Sequence, residues 1–326
     1  MNIVYALDNN FVEPTCVSIA SLLITNKDED FVFYLITEGL SPKSVSLLKS
    51  VVEKYSPQSQ VNIVILSDEV LKKFPIRLGD HVSLATYYRL YIPSLLPETV
   101  SKVLYIDGDI ICVDSIKELY DMDLDGYSLS GIHDERNNDP ENFERLGYPF
   151  ENGYVGAGVL LINLEYWRKN SIQEKLIDFV SEHGDLCKWH DQDALNKILH
   201  GTIKWCHIKY NILEQIFSSE CKYDGSFREE LNQAVKNPVF IHYSDGRKPW
   251  KYECRHPFAE NYRKLYGKVF GKKCRLTHRY KGKTRVLWTI KKFLNDCGIK
   301  NYSEFSINHE FDELKLKING KLGVNQ

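Results

Sequence analysis

The chain has 326 residues, of which 43% are hydrophobic and 26% charged, and its formal net charge is -2. This composition is typical of a globular protein with one large α/β domain or two modest ones, and it argues against a general attraction to nucleic acid or membranes. Eight cysteines lie at irregular intervals without a CxxC pair or zinc-ligand spacing, which favours a reduced, cytoplasmic protein. The opening MNIVYALDNN lacks the features of a signal peptide, and no apolar run approaches the ~20 residues that cross a bilayer.

Strand-like runs alternate with helix-like stretches through the first half of the chain, which predicts a parallel α/β sheet with crossover helices. The predicted strands cover residues 2–7, 31–37, 61–66 and 102–106. The predicted helices cover residues 16–24, residues 41–55 and the segment SLATYYRLYIP, which we expect to end at Pro93. Ligands of such sheets bind beyond the carboxyl ends of the strands, where Asp8, Asp107 and Asp109 are placed.

The second half of the chain is less regular. It predicts a glycine-rich loop and strand over residues 154–167, helices over 171–183 and 191–199, and a last strand over 238–243. Between residues 263 and 300, thirteen Lys or Arg residues accompany a single acid, Asp296. This change in composition predicts a main domain over residues 1–262 and a basic, partly helical C-terminal appendage over residues 263–326.

The motif IDGDI places two carboxylates at the end of an apolar strand. Gly108 allows a turn that aims Asp107 and Asp109 at one point. Because close like charges repel, such a pair is tolerable mainly when a cation lies between its members. Oxygen ligands suit Mg²⁺ or Mn²⁺, and an added nitrogen ligand favours Mn²⁺. The alternative is a surface turn in which the aspartates cap the next element.

Five motifs, in order along the first 260 residues, carry a resemblance to a known family. They are YALDNNF, VLYIDGDIICVDSI, YVGAGVLLINLEYW, KWHDQDALN and IHYSDGRKPW. Together they resemble the retaining glycosyltransferases of family eight, which include bacterial lipopolysaccharide galactosyl- and glucosyltransferases and are related to glycogenin. The resemblance implies a GT-A nucleotide-sugar-binding fold with a central mixed, mainly parallel sheet. It also implies transfer of galactose or glucose from a UDP-sugar to a glycan or glycolipid acceptor, in the synthesis of lipopolysaccharide or another surface polysaccharide.

The resemblance also assigns roles to individual residues. Asp8 would read the uracil, and Phe11 would stack on the base, although a core residue at a helix start is an equal explanation for Phe11. Asp107, Asp109 and His242 would bind Mn²⁺, with Mg²⁺ as the second choice. The implied donor-binding residues are Ala6, Asp8, Asn10, Phe11, Arg89, Asp107, Gly108, Asp109, Asp191, Gln192, His242 and Lys248.

The catalytic residues implied are Asp191, Gln192 and Lys248. Asp191 would hold sugar hydroxyls and contact Arg89, Gln192 would lie near the anomeric carbon, and Lys248 would add positive charge beside the departing diphosphate. The stretch DQDALN is also an ordinary helix start, and we assign Asp193 to that structural role. Since an amide is a poor nucleophile, we expect the acceptor to attack on the face from which the leaving group departs.

Two positions depart from the family pattern. Gly156 stands where many members have asparagine, which leaves the donor hexose open. Asp245 stands where glycine is common, in a loop that would close over the diphosphate. HVSLA, residues 81–85, would form the facing part of this lid, and residues 137–149 are a candidate lip for the acceptor site.

The appendage contains an amphipathic stretch over residues 284–299. Its apolar residues recur at helical spacing and basic residues flank them, which is the profile of an interfacial helix in peripheral contact with anionic lipid on the inner face of the plasma membrane. The alternative is a terminal helix packed on the core. Farther along, Asn319-Gly320 predicts a hairpin.

Three rival functions remain at this point. A phosphatase of the haloacid-dehalogenase type also uses an apolar run followed by DxD, but there the motif lies near the N-terminus. A catalytically silent UDP-sugar-binding protein would share the donor site without turnover. Nucleic-acid binding has little support, because only Tyr280 and Trp288 interleave with the basic residues of the tail.

Overall fold

The structure is a computed structural model that describes residues 1–71, 84–217, 221–223, 225–300 and 311–324. Its strands are β1 (Asn2–Ala6), β2 (Val32–Thr37), β3 (Gln60–Ile65), β4 (Lys102–Ile106), β5 (Ile110–Cys112), β6 (Leu129–Gly131), β7 (Val159–Asn163), β8 (Ile203–Trp205), β9 (Ile212–Leu213) and β10 (Phe240–His242). Its helices are α1 (Val12–Thr25), α2 (Pro42–Tyr55), α3 (Asp68–Leu71), α4 (Ile92–Leu95), α5 (Lys117–Tyr120), α6 (Pro140–Leu146), α7 (Leu164–Lys169), α8 (Ile172–Glu182), α9 (Asp191–Leu199), α10 (Arg228–Lys236), α11 (Ala259–Phe270), α12 (Gly282–Asp296) and α13 (Asp312–Leu322).

The central sheet has the strand order β3-β2-β1-β4-β7-β6-β8. The first four strands of the chain run parallel to one another, and β6 runs parallel to β8. Strand β7 is antiparallel to both of its neighbours, β4 and β6. The predicted mixed, mainly parallel sheet is therefore confirmed, and so are the four predicted strands of the first half.

The sheet has a hydrophobic core on each face because its strands alternate their side chains. On β1, Ile3 and Tyr5 belong to one core, and Val4 belongs to the other. Helix α1 packs on the first face, with twelve of its residues buried. The second core contains Trp167, whose indole nitrogen donates to the carbonyl of Ser128 at 2.9 Å. Burial on both faces explains why the early strands are nearly continuous apolar runs.

A smaller sheet, β5-β10-β9, lies beyond the end of β4. Strand β10 is antiparallel to β5, with His242 paired to Ile110, and parallel to β9. The predicted last strand is thus confirmed as β10, within this second sheet. The pairing brings His242 next to the turn that carries the two aspartates.

The prediction of a helix ended by Pro93 was wrong. Residues Leu84–Tyr91 form a 3₁₀ helix, and α4 follows it with Pro93 in its first turn. Proline is tolerated there because the first N–H groups of a helix have no intrahelical partner. Pro93 therefore starts a helix instead of ending one.

The predicted hairpin at Asn319-Gly320 was also wrong, since both residues lie within α13. Ile318 and Leu322, one helical turn apart, are buried in the core, and the Asn319 side chain accepts a hydrogen bond from Asn261 at 2.9 Å. Packing on the main domain therefore overrides the turn preference of Asn-Gly.

The C-terminal helices differ in how they meet the rest of the molecule. Helix α11 buries Leu265 and passes through the predicted boundary at residue 262, so the division into two domains stays a prediction. The predicted amphipathic helix is present as α12, none of whose residues is buried. Among the described helices, none has the length and apolar character needed to span a membrane.

Candidate active site

A cleft of about 500 Å³ opens at the carboxyl ends of β1 and β4. This is where open α/β sheets bind their ligands. The predicted donor-binding residues that line it are Ala6, Asp8, Asn10, Phe11, Arg89, Asp107, Gly108, Asp109 and Lys248. Asp191 contacts the lining residue Arg89, and His242 contacts the lining residue Asp109. Gln192 follows Asp191 on α9. The structure thus brings the predicted residues together.

Asp107, Asp109 and His242 form a cluster that can hold a metal ion. One ligand atom of each lies within 4.8 Å of the others. The Nε2 atom of His242 is 3.2 Å from Asp109 Oδ1 and 3.9 Å from Asp107 Oδ2. Asp109 and His242 are buried, whereas Asp107 lines the cleft with a quarter of its side chain exposed. Two carboxylates and one imidazole are a donor set that fits Mg²⁺ or Mn²⁺.

Asp109 is held in its charged form by its neighbours. Burial by itself would raise the pKa of Asp109, but the Lys248 ammonium and the His242 imidazole lower it well below its usual range. Lys248 Nζ contacts Asp109 Oδ2 and also donates to the carbonyls of Tyr243, at 2.7 Å, and Ser244, at 3.2 Å. Asp109 is therefore a charged ligand across the whole neutral pH range.

A residue that the sequence analysis missed orients the histidine. His242 Nδ1 donates to Oδ1 of the buried Asn211 at 2.9 Å, which leaves the Nε2 lone pair for the cluster. Asn211 precedes β9, the parallel neighbour of β10, so sheet pairing brings the two residues together. The sequence contains no motif around Asn211, and a polar residue before a two-residue strand gives little signal.

Gly158 makes room for the cluster. A Cβ at this position would lie 2.5 Å from His242 Cε1 and 3.3 Å from Asp107 Oδ2. The carbonyl of Gly158 also accepts a hydrogen bond from the Asp107 backbone N–H at 2.9 Å. Glycine is therefore required where the start of β7 passes the metal ligands.

Arg89 connects the metal ligands to helix α9. Its Nη2 atom is 3.2 Å from Asp107 Oδ1, and its Nε atom is 2.8 Å from Asp191 Oδ2. The guanidinium also lies over the Tyr105 ring, 4.2 Å from its centroid. The expected contact between Arg89 and Asp191 is present, and the buried arginine links both carboxylates.

Two neighbouring side chains each keep a buried atom without a hydrogen bond in the described part of the chain. Asp191 Oδ1 accepts from Thr86 at 2.7 Å, and Gln192 Oε1 accepts from the Ala157 N–H at 3.1 Å. Asp191 Oδ2 forms the 2.8 Å ion pair with Arg89, whose Nε–H donates to the Thr86 carbonyl, so that oxygen accepts no hydrogen bond. Gln192 Nε2 makes no hydrogen bond to the described residues. A buried polar atom left unpaired costs about 1–3 kcal/mol, so the Gln192 amide donor suits a polar ligand, beside a carboxylate oxygen that keeps a lone pair free to accept.

The backbone just before these residues is strained. His190 has φ 55°, a conformation that residues other than glycine rarely adopt, and it immediately precedes α9. Such strain is concentrated at functional sites. Burial raises the pKa of Asp191, and the charge of Arg89 opposes that rise.

Asp193 has the structural role that the sequence analysis gave it. Its carboxylate, fully buried, accepts two hydrogen bonds from Arg145 at 3.0 Å and one from Tyr154 at 2.6 Å. It also accepts from the backbone N–H of Trp189 at 2.6 Å, which fixes the start of α9. Each oxygen is therefore satisfied without a ligand.

The two departures from the family pattern have different surroundings. A Cβ at Gly156 would lie 3.3 Å from Asp134 Oδ2 and 3.6 Å from Asn211 Nδ2, so a larger residue would crowd these side chains. Asp245 pairs with two arginines, Arg247 and Arg279, which neutralise the extra acid.

The predicted lid is described only in part, whereas the predicted acceptor lip lies wholly within the described residues. Residues 81–83 of the predicted lid lie outside the described residues, whereas Ala85 lines the cleft. The predicted acceptor lip, residues 137–149, includes helix α6. Asp139 caps the N-terminus of this helix, and Gly147, in the left-handed conformation, ends it.

Known proteins resemble this chain over most of its length. The lipopolysaccharide 1,2-glucosyltransferase of Escherichia coli is 30% identical over 303 residues, which cover 90% of this chain and 87% of that protein. General stress protein A of Bacillus subtilis (strain 168) is 30% identical over 269 residues, covering 80% of this chain and 91% of that protein. The crystal structure of the galactosyltransferase LgtC, in complex with donor and acceptor sugar analogues, superposes with a TM-score of 0.73 at 26% identity, covering 83% of this chain and 96% of that one.

Fold and site together define a glycosyltransferase with the GT-A fold. The chain belongs to glycosyl transferase family 8, whose family model matches residues 2–254. The resemblance on which the sequence analysis relied is therefore confirmed. The family match therefore rejects the alternative that the chain is a phosphatase of the haloacid-dehalogenase type.

Proposed function

We propose that this enzyme transfers galactose or glucose from a UDP-sugar to a glycan or glycolipid acceptor, with retention of configuration, in the synthesis of lipopolysaccharide or another surface polysaccharide. The observation that carries the proposal is the cluster of Asp107, Asp109 and His242 at the floor of the cleft. The names of its relatives, an E. coli lipopolysaccharide glucosyltransferase and the galactosyltransferase LgtC, support both the acceptor class and the two hexoses.

The charges around the cluster favour a divalent cation. Three carboxylates, Asp107, Asp109 and Asp191, are joined to two cationic groups, Arg89 and Lys248, which leaves one negative charge. A divalent ion would make the site positive, as binding of a diphosphate requires. When bound, Mn²⁺ would stabilise negative charge on the departing UDP. We choose Mn²⁺ over Mg²⁺ because His242 supplies a nitrogen ligand.

The uracil would bind at the end of β1. Asp8 Oδ1 accepts from the backbone N–H groups of Asn10, at 2.8 Å, and Phe11, at 3.1 Å, which holds the carboxylate at the cleft wall. Its second oxygen would accept the N3 proton of uracil. The half-buried Phe11 ring lies edge-on to Trp250, with the ring centroids 6.0 Å apart, and its cleft side would stack on the base.

The sugar would lie between the metal ligands and α9. Asp191 Oδ2, which is ion-paired with Arg89, and the unpaired Gln192 Nε2 would hydrogen-bond sugar hydroxyls, one as acceptor and one as donor. The hydrogen bond from Gln192 Nε2 would offset the cost of leaving that donor buried and unsatisfied.

We assign a same-face mechanism to the transfer. The acceptor oxygen bonds to the anomeric carbon as the bond from that carbon to the phosphate oxygen breaks, and the acceptor proton passes to the departing phosphate. Gln192 is a poor nucleophile, and the Asp191 carboxylate is engaged by Thr86 and Arg89. Isolation of a glycosyl-enzyme adduct at either Asp191 or Gln192 would overturn this assignment.

A donor panel tests the proposed function. The purified enzyme is given UDP-, GDP- and ADP-hexoses with Mn²⁺, and release of nucleotide is measured together with the configuration of the sugar product by NMR. We expect turnover of UDP-galactose or UDP-glucose, with retention. Binding of UDP-sugars without turnover would indicate the silent binding protein instead, and no binding of any UDP-sugar would reject the proposed donor class.

We further infer that α12 docks the enzyme on an anionic membrane at the cytoplasmic face. Its apolar stripe is solvent-exposed, with each side chain between 49% and 62% accessible. The residues of this stripe are Val286, Leu287, Ile290 and Phe293. Basic residues at its start include Lys281 and Lys283, and such charges each gain about 1 kcal/mol near anionic lipid. Exposure of the stripe favours this proposal over a helix packed on the core.

Vesicle sedimentation tests the membrane proposal. Wild-type protein should sediment with phosphatidylglycerol vesicles, and less with phosphatidylcholine vesicles. The double variant Leu287→Glu, Phe293→Glu should sediment at least about tenfold less, because charged residues do not enter the acyl region. The matched control is Leu316→Glu, which alters an equally exposed leucine on α13. Equal loss in the control, or no loss in the double variant, would count against the proposal.

A further inference from the structure

We propose that Arg279, in the basic segment between α11 and α12, binds the diphosphate of the nucleotide-sugar as a second cationic side chain beside Lys248. The inference rests on the proposed function, because it concerns the same donor site. Arg279 lies outside the five sequence motifs, more than thirty residues after Lys248. It would make the appendage a part of the catalytic site.

Arg279 lines the same cleft as the metal ligands and Lys248. Its guanidinium lies directly on the backbone of Gly246, where a Cβ would be 2.4 Å from Nη1 and 2.8 Å from Cζ. This close approach is possible because Gly246 has no side chain. The loop after β10 and the tail therefore form one wall of the cleft.

The segment that carries Arg279 is fixed to the main domain. The Thr277 N–H donates to the Trp250 carbonyl at 3.0 Å, and the Thr277 carbonyl accepts from Tyr252 at 3.1 Å. Glu253, only 3% exposed, accepts from the Arg279 N–H at 2.9 Å and contacts His278 Nδ1, also at 2.9 Å. A buried glutamate thus sets the position of the arginine backbone, which preorganises the side chain for binding.

The guanidinium keeps hydrogen-bonding capacity for a ligand. Its Nη1 atom donates to Asp245 Oδ1 at 2.9 Å, and its other nitrogens make no hydrogen bond to the described residues. Asp245 does not depend on this contact, since Arg247 gives it three hydrogen bonds of 2.7 to 3.1 Å and in turn reaches Glu214 at 3.1 Å. Nearly a third of the Arg279 side chain is exposed. An arginine with free donors at a cleft suits bidentate binding of phosphate oxygens.

Paired binding measurements test the proposal. UDP and uridine are titrated by calorimetry, with Mn²⁺ present, into wild type, Arg279→Ala, Arg279→Gln and Arg275→Ala. Arg275 is a matched control, because it is an exposed arginine of the same basic segment that does not line the cleft. We expect both Arg279 variants to bind UDP about tenfold or more weakly, with uridine affinity unchanged. Arg275→Ala should bind both ligands as wild type does.

The outcomes separate this inference from the proposed function. If wild type binds no UDP, the proposed function fails. If wild type binds UDP and the Arg279 variants bind it equally well, only the role of Arg279 fails. Equal weakening in Arg275→Ala would indicate a general charge effect, and equal loss of uridine would indicate structural damage; either result contradicts the proposal. Arg279→Gln retains a hydrogen-bond donor for Asp245, so it covers the case in which the alanine variant does not fold.

Discussion

At the scale of single residues, one hydrogen bond sets the tautomer of His242. Asn211 Oδ1 can only accept, so the 2.9 Å contact places the proton on Nδ1 and leaves Nε2 to bind a metal. We therefore expect Asn211→Ala to weaken Mn²⁺ binding about 10- to 100-fold. Calorimetric titration of Mn²⁺ measures the change. Asn237→Ala, at an exposed asparagine after α10, is the control, and equal affinity of both variants for Mn²⁺ would contradict the orienting role.

A second residue affects stability in a pH-dependent way. Burial lowers the pKa of His256 from 6.5 to about 3. Between these values the unfolded chain binds a proton that the folded protein does not bind, so stability falls as the pH decreases below about 6.5. Above that pH the histidine is neutral in both states and its contribution is constant.

This linkage predicts that the free energy of unfolding depends more steeply on pH in wild type than in a variant without His256. His256→Asn removes the titrating group and keeps an acceptor for the Phe258 N–H, to which His256 Nδ1 now bonds at 3.2 Å. From pH 6 to pH 4, wild type should lose up to about 1.4 kcal/mol per pH unit more than the variant in free energy of unfolding. Urea denaturation at several pH values measures both slopes, and parallel curves would show that His256 is not the group responsible.

At the scale of elements, the passage of β7 beside the metal ligands depends on glycine. A methyl group at position 158 would overlap the His242 ring, and the ring cannot retreat because β10 is paired on both sides. We expect Gly158→Ala to abolish high-affinity Mn²⁺ binding and to reduce turnover at least about 100-fold, with the circular dichroism spectrum preserved. Gly225→Ala adds the same methyl group where no atom of the described residues lies within 4 Å, and it should behave as wild type. Normal Mn²⁺ binding by Gly158→Ala would refute the steric argument.

The sequence allowed prediction of elements whose apolar pattern is set by burial. Strands β1, β2 and β4 were predicted because both faces of the sheet are covered there, which leaves apolar runs bounded by polar residues. The edge strand β3 has no buried residue and was predicted from its β-branched residues. Helix α13 was missed because its buried residues are few and its Asn-Gly pair favours a turn. The 3₁₀ helix Leu84–Tyr91 has the apolar periodicity of an α-helix, and periodicity alone does not separate the two.

At the scale of the whole molecule, the site collects residues from distant parts of the chain. The metal ligands and every predicted donor-binding residue except Arg89 lie in the five motifs, so they could be predicted from the sequence. Asn211, Thr86 and Arg279 could not, because their roles arise from contacts across the fold: a parallel strand pair, a 3₁₀ helix against α9, and the tail against the loop after β10. None of these contacts leaves a pattern along the chain.

If Asp107, Asp109 and His242 hold the ion that supports catalysis, sugar transfer depends on both the metal and these ligands. Turnover of UDP-galactose and UDP-glucose is followed as Mn²⁺ is added to enzyme stripped with EDTA, for wild type, Asp109→Asn and the exposed control Asp125→Asn. Asp109→Asn keeps the volume of the side chain and removes the charge that binds the ion. We expect wild type and Asp125→Asn to be inactive without metal and to recover with Mn²⁺, whereas Asp109→Asn remains about 100-fold or more below them. Turnover that needs no metal, or full activity of Asp109→Asn at the same Mn²⁺ concentration, would contradict the role of this cluster as the metal site.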